Sequence, residues 1–221
     1  MATRIMQQTA SRLERKLIDL WAQVPSSVAA DVLAGLTVVD AAIRPLKPLP
    51  AGKRLVGLAV TALCEGTDYG PVHHAIAVAQ EGDVVVVEAG GRSSPAIIGE
   101  LLSGSARLKG VRGLVVNGAV RDVGTLREWD DFPVFTRHIM PRGPSSYDRG
   151  VVNDVIALAG VKVAPGDIVL GDDDGVVIVP REEAAATIDA ALARVAAEAG
   201  WEKELLSGRS TLDVFNIPPA I

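Results

Sequence analysis

The stretch from Gly113 to Asp122 constrains the fold of this 221-residue chain more than any other. Leu114, Val115 and Val116 are consecutive, apolar and mostly β-branched. A strand with one wet face alternates polar and apolar residues, whereas a run without alternation is covered on both faces. The chain must therefore place helices or further strands on both sides of a sheet. Asn117 and Gly118 predict a sharp turn where this run ends. Arg121 and Asp122 then stand at the C-terminal end of a buried strand, the usual ligand-binding edge of α/β proteins. A carboxylate there is a hard ligand for Mg²⁺ or Mn²⁺. A guanidinium is a fixed fork of donors for an anionic oxygen. The same Arg-Asp pair also fits a plainer role, an exposed ion pair opening a helix.

Other segments share the pattern. Leu55–Leu63 and Val84–Val87 predict strands, the second ending at Glu88 to Gly91. Pro71, a good first helical residue, opens a helix over Val72–Gln80. A further helix is expected from Pro95 or Ala96 to Leu108, closed by Gly110. Beyond Asp122, a helical turn to Trp129 precedes a strand over Phe132–Thr136 and a Pro/Gly/Ser-rich loop from His138 to Gly150. Val161–Val163, Asp167–Leu170 and Val176–Val179 predict three short strands. The last two are joined through Gly171 to Gly175, whose three aspartates suit either a tight turn or a cation. Leu13, Leu17, Leu20 and Trp21 recur at helical spacing within about Thr9–Gln23, so residues 1–25 form a helical N-terminal segment. Ser26 or Ser27 caps a second helix over Val28–Leu33, closed by Gly35. Ile188, Ala191, Leu192 and Val195 define a long Ala-rich C-terminal helix over 181–206. The whole predicts one α/β domain, residues 1–221, with a mixed sheet.

Composition narrows the function. Hydrophobic residues make up 48% of the chain, enough for a full core, and aromatics only 4%, so that core is aliphatic. A net charge of −5 gives no basic footprint for nucleic acid. The single cysteine, Cys64, makes neither a disulfide nor a zinc site and reads as a small buried strand residue. No run spans a membrane and no signal pattern opens the chain, so a soluble cytoplasmic protein is expected. His73 and His74 are adjacent on a helix and point apart, which excludes a paired metal site.

Two Gly-bearing stretches follow neighbouring strands: Gly90–Gly91 with Gly99–Leu102, and Asn117–Gly118 with Arg121–Asp122. Backbone N–H groups at a turn or helix start bind a carboxylate. A metal on Asp122 and the Arg121 guanidinium then face one keto oxygen, the parts needed to hold a 2-oxo acid and stabilise its enolate. No lysine stands near for a Schiff base.

These pieces resemble the family that contains the class II 4-hydroxy-4-methyl-2-oxoglutarate / 4-carboxy-4-hydroxy-2-oxoadipate aldolases and the regulator of ribonuclease activity A (RraA). The similarity runs from about Ser26 to Gly208. It is carried by Val28–Asp31, Val72–Ile76, Gly82–Gly91, Gly99–Leu102, Gly113–Asp122, Phe132–Phe135, Pro141–Gly143, Pro165–Val169 and Asp172–Pro180. The resemblance implies a swivelling β/β/α-type domain, assembled as a homotrimer or homohexamer, with a site between subunits that uses Mg²⁺ or Mn²⁺. It implies that the backbone of Gly99, Glu100, Leu101 and Leu102 binds the pyruvyl carboxylate. Arg121 would ligate the keto oxygen, Asp122 would anchor the metal, and Glu100, where relatives often carry Asp, would hold the proton-transfer water. It further implies that a glutamate of the neighbouring subunit's C-terminal helix, Glu198 or Glu202, completes the site. The implied reaction is retro-aldol cleavage of a 4-hydroxy-2-oxo diacid to pyruvate, with oxaloacetate decarboxylation as a side activity. The alternatives within the resemblance are an RraA-type protein-binding regulator of ribonuclease E and an enzyme of another 2-oxo acid.

Overall fold

Four parallel strands form the middle of the protein, and their residues explain why. In a computed structural model, which describes residues 2–8, 11–35 and 37–220, β4 (Asp83–Glu88) is buried at every position. Val85 and Val87 pack into a core on one face of the sheet, and Val84 and Val86 into a core on the other. The expectation of double-sided burial is met.

The chain begins with β1 (Arg4–Ile5), α1 (Arg15–Trp21), α2 (Ser26–Val32), β2 (Arg44–Pro45) and β3 (Leu55–Cys64). Helix α3 (Gly70–Val78) leads to β4, then to β5 (Ala96–Ile98), α4 (Glu100–Leu108) and β6 (Gly113–Val120). Next come α5 (Val123–Glu128), β7 (Val134–Ile139), β8 (Gly150–Val152), β9 (Ile156–Leu158) and β10 (Val161–Val163). The chain ends with β11 (Ile168–Asp172), β12 (Gly175–Val179), α6 (Ala184–Leu206) and α7 (Thr211–Val214). The sheet is mixed, in the order β1-β8-β3-β4-β6-β7-β2. β3, β4, β6 and β7 are mutually parallel, β5 adds to β6, and the β11–β12 hairpin pairs antiparallel with the start of β3. α3 and α4 cover one face. The small β9–β10 ribbon contributes Ile156, Leu158 and Val163 to the other. A third core joins α1, α2 and α6 to the hairpin, centred on fully buried Trp21, whose indole N–H donates to the Ala184 carbonyl at 3.1 Å. Among the described residues no helix is long and apolar enough to cross a membrane.

Several expectations change. Ala96–Ile98 is a strand, not the first turn of a helix: all three residues are buried, and Ala96 and Ile98 pair with Ala119 and Val120. Gly99 is extended, so the helix starts one residue later, at Glu100. The turn expected at Asn117–Gly118 is absent. β6 runs through both residues to Val120, with a register shift between Val116 and Ala119. Gly118 is there for close approach rather than for turning, since a β-carbon would lie 3.0 Å from that of Ala89. The N-terminal helix is shorter than expected. Arg4–Ile5 pair with β8, Glu14 is extended and caps α1, and the expected start at Thr9–Ala10 lies outside the described residues. α2 is preceded by Pro25 as its cap. Ser26 instead lies inside the helix and donates its backbone N–H to Asp172 at 2.8 Å. β7 starts at Val134 rather than Phe132, and α6 at Ala184 rather than Arg181. The aspartate turn is structural: Asp172 holds the start of α2, and Asp173 accepts from the Leu49 N–H at 2.8 Å.

Candidate functional site

β6 ends at Val120, so Arg121 and Asp122 emerge at the C-terminal edge of the parallel strands. The Arg121 N–H donates to the Ile98 carbonyl at 2.9 Å, tying the pair to the end of β5. Asp122 is left-handed, at φ 58°, and this turns the chain into α5. Its carboxylate thereby swings back over the start of α4. Oδ2 accepts the Glu100 N–H at 3.1 Å and lies 3.5 Å from Arg121 Nε. The next two N–H groups of α4, those of Leu101 and Leu102, have no acceptor among the described residues. One helix start, one carboxylate and one guanidinium therefore converge, as the sequence pattern predicts.

Glycines make the convergence possible. A β-carbon on Gly99 would collide with Asp122 Oδ2 and lie 2.9 Å from Arg121 Cγ. One on Gly143 would collide with the Arg121 guanidinium. Arg121 is thus seated between two bare stretches of backbone. The second belongs to the Pro141–Gly143 loop, where the Arg142 carbonyl accepts the Ala96 N–H at 2.8 Å. Glu100 points along the same edge, and its Oε2 accepts from Thr125 Oγ1 at 3.0 Å.

Behind this edge lies a polar network that sequence reading did not single out. Glu88, at the end of β4, is buried, with Asn117 Nδ2 at 2.9 and 2.8 Å from its two oxygens and the Ala159 N–H at 2.9 Å. It also accepts the Gly90 N–H, while the N–H groups of Ala89 and Gly91 donate to the Asn117 carbonyl. The Gly90–Gly91 turn therefore spends its donors internally and offers none to a ligand, contrary to the expectation for that stretch. Asn117 Oδ1 accepts from Arg137 Nε at 2.7 Å, and Arg137 Nη2 donates to Asp40 at 2.6 Å. The Ala42 N–H and the Arg137 guanidinium together hold the Asp40 carboxyl below the usual carboxylate range. Burial, reinforced by Glu88 and Asp68, pushes the nearby Cys64 thiol up to about 12, which rules it out as a thiolate nucleophile at neutral pH. The signal available for this network was the polar pair Glu88 and Asn117 at the ends of two otherwise apolar strands.

Glu198 and Glu202 do not join the edge within one chain. α6 packs on α1 and α2. There Arg194 lies over the Trp201 ring, 4.9 Å from its centroid, and reaches Glu198 at 2.9 Å and Asp31 at 3.2 Å. Glu202 is exposed.

The residues fit a hydrated divalent cation. Asp122 is 40% exposed, and the bonds above engage only its Oδ2. No cluster of three or more metal-binding side chains exists among the described residues. A single carboxylate suits an ion that keeps most of its waters.

The sequence profile of the RraA-like family, described as Aldolase/RraA, matches residues 27–178. The chain belongs to the Aldolase/RraA family. A relative from Halalkalibacterium halodurans, provisionally named 4-hydroxy-4-methyl-2-oxoglutarate aldolase, is 34% identical over 77% of this chain and 80% of its own length. Among solved structures, Streptomyces coelicolor RraAS2, described as an unusual member of the RNase ES inhibitor RraA family, superposes with a TM-score of 0.75. It is 27% identical and covers 88% of this chain and 97% of its own. An uncharacterised protein from Pseudomonas syringae pv. tomato superposes with a TM-score of 0.81 at 22% identity, over 93% of this chain and 99% of its own, and shows the shared fold.

Proposed function

We propose that this protein is a divalent-metal-dependent aldolase that cleaves a 4-hydroxy-2-oxo diacid, such as 4-hydroxy-4-methyl-2-oxoglutarate, to pyruvate. The reading is carried by the meeting of Arg121, Asp122 and the start of α4 at one edge. It is supported by family membership and by the name of the Halalkalibacterium relative.

The free N–H groups of Leu101 and Leu102 take the pyruvyl carboxylate, helped by the positive end of α4. The Arg121 guanidinium donates to the keto oxygen and strengthens that bond as charge develops there. A base removes the C4 hydroxyl proton, the new carbonyl forms at C4, and the C3–C4 bond breaks. Its electron pair passes into the pyruvate enolate, which is protonated at carbon. Glu100, held by Thr125, positions the water that delivers this proton. Asp122 would hold Mg²⁺ or Mn²⁺, which supplies Lewis acidity toward the same oxygen. The same stabilised enolate permits decarboxylation of oxaloacetate. Glu198 or Glu202 of a neighbouring subunit completes the site in a homotrimer or homohexamer.

The test is pyruvate release from 4-hydroxy-4-methyl-2-oxoglutarate by EDTA-treated protein, before and after Mg²⁺ addition. Release restored by Mg²⁺ is expected. No release under either condition overturns the reading.

A further inference from the structure

A groove of about 810 Å³ lies at the opposite end of the sheet from Arg121. It opens where the parallel strands begin, at Leu55, Gly82, Arg112 and Pro133, under α1 and the Pro45–Pro50 segment. Its size is that of a small-molecule site. Leu13, Ile18, Leu126, Trp129 and Phe132 supply apolar parts of its lining. Its polar lining is cationic: six lysines and arginines against four carboxylates, in a chain whose net charge is −5. Four of these cations are already paired: Arg12 with Asp83, Arg15 with Asp19, Lys47 with Asp130, and Arg54, more loosely, with Asp172. Lys53 and Arg112 are exposed and have no carboxylate partner among the described residues. One lining carboxylate, Glu81, is exposed and likewise has no partner among the described residues, so the uncommitted charge of the groove is two positive against one negative. A partly apolar trough with that small positive excess complements a molecule with an apolar body and one anionic head.

We infer that this groove binds an amphipathic monoanion of the medium-chain carboxylate class, body against Ile18 and Trp129 and head toward Lys53 and Arg112. Decanoate is the probe and decanol its neutral counterpart, each titrated into the full-length protein by calorimetry, with Trp129 fluorescence as a second readout. Saturable binding of one decanoate per chain is expected, with decanol at least tenfold weaker. The charge reversal K53E/R112E should remove the preference for decanoate. Ile18→Trp, which fills the trough, should abolish binding of both, with melting temperatures matching wild type. Equal decanoate affinity for wild type and K53E/R112E overturns the inference, as does absence of saturable binding. If decanoate fails to bind and Ile18→Trp instead splits an oligomer by light scattering, a second copy occupies the groove and the inference is likewise overturned. None of these readouts depends on aldolase activity.

Discussion

Gly99 is extended, so alanine would meet no backbone strain there, yet its methyl would occupy the space of Asp122 Oδ2. Gly99→Ala is therefore expected to displace the carboxylate, lowering kcat/KM by about a hundredfold while the melting temperature barely moves. Unchanged kinetics would detach Gly99 from the site. Arg121→Lys keeps the charge but loses the planar fork, and turnover should fall about 10²–10³-fold with the fold intact by circular dichroism. Asp122 calls for a different variant from the usual alanine. Its φ of 58° is a conformation that asparagine tolerates and alanine resists. Asp122→Asn thus removes the charge without straining the turn, and activity titrated with Mg²⁺ should need far more metal than wild type. Superimposable titrations would reject Asp122 as the anchor. Cys64 gives a pH test. Its thiol is raised from 9.0 to about 12, so the folded state keeps a proton that the unfolded state loses. That contribution is complete below pH 9 and disappears as pH rises towards 12. Urea midpoints should fall more steeply across this window for wild type than for Cys64→Ala.

The elements were legible where a single force dominates. The aliphatic runs of β3, β4 and β6 have no polar alternation and cannot be anything but covered strands. Arg121 and Asp122 followed, because their place depends only on where β6 ends. β5 was misread because Ala96–Ile98 abuts a helical pattern, and only pairing with β6 across more than twenty residues makes it a strand. Asn117–Gly118 looked like a turn because nothing local reveals Glu88 waiting across the sheet for the Asn117 amide. Arg194 and Glu198 are four residues apart on α6, a spacing the sequence shows, whereas Asp31 reaches the same Arg194 only because α6 crosses α2, a contact that spacing along the chain cannot encode. The first half of α6 carries its own consequence. Ala184, Ile188 and Ala191 are buried against α1, α2 and the hairpin, so cutting the chain after Pro180 would expose that core. Ile188→Ala should cost about 2–5 kcal/mol, read from urea unfolding.

At the scale of the molecule, the candidate edge is open on one side, and neither Glu198 nor Glu202 closes it from its own chain. If a neighbour closes it, two inactive variants should rescue each other. Arg121→Lys and a Glu198→Gln/Glu202→Gln double variant, co-refolded as a mixture, should regain a fraction of wild-type activity, because some hybrid sites then draw every residue from an intact source. A mixture no more active than its parts would place the whole site in one subunit.

The sheet also has a history in time. β3, complete at residue 64, takes its partners on one flank from residues 150–152 and 168–171. A ribosome must therefore synthesise about a hundred further residues while that flank of Leu55–Cys64 stays bare, with its backbone amides and carbonyls unmatched. Such long-range closure slows folding to the millisecond-to-second range and leaves a sticky apolar edge meanwhile. Slower translation or higher expression should therefore send this protein into inclusion bodies through β3, even though every residue of that strand is buried or half-buried once the chain is complete.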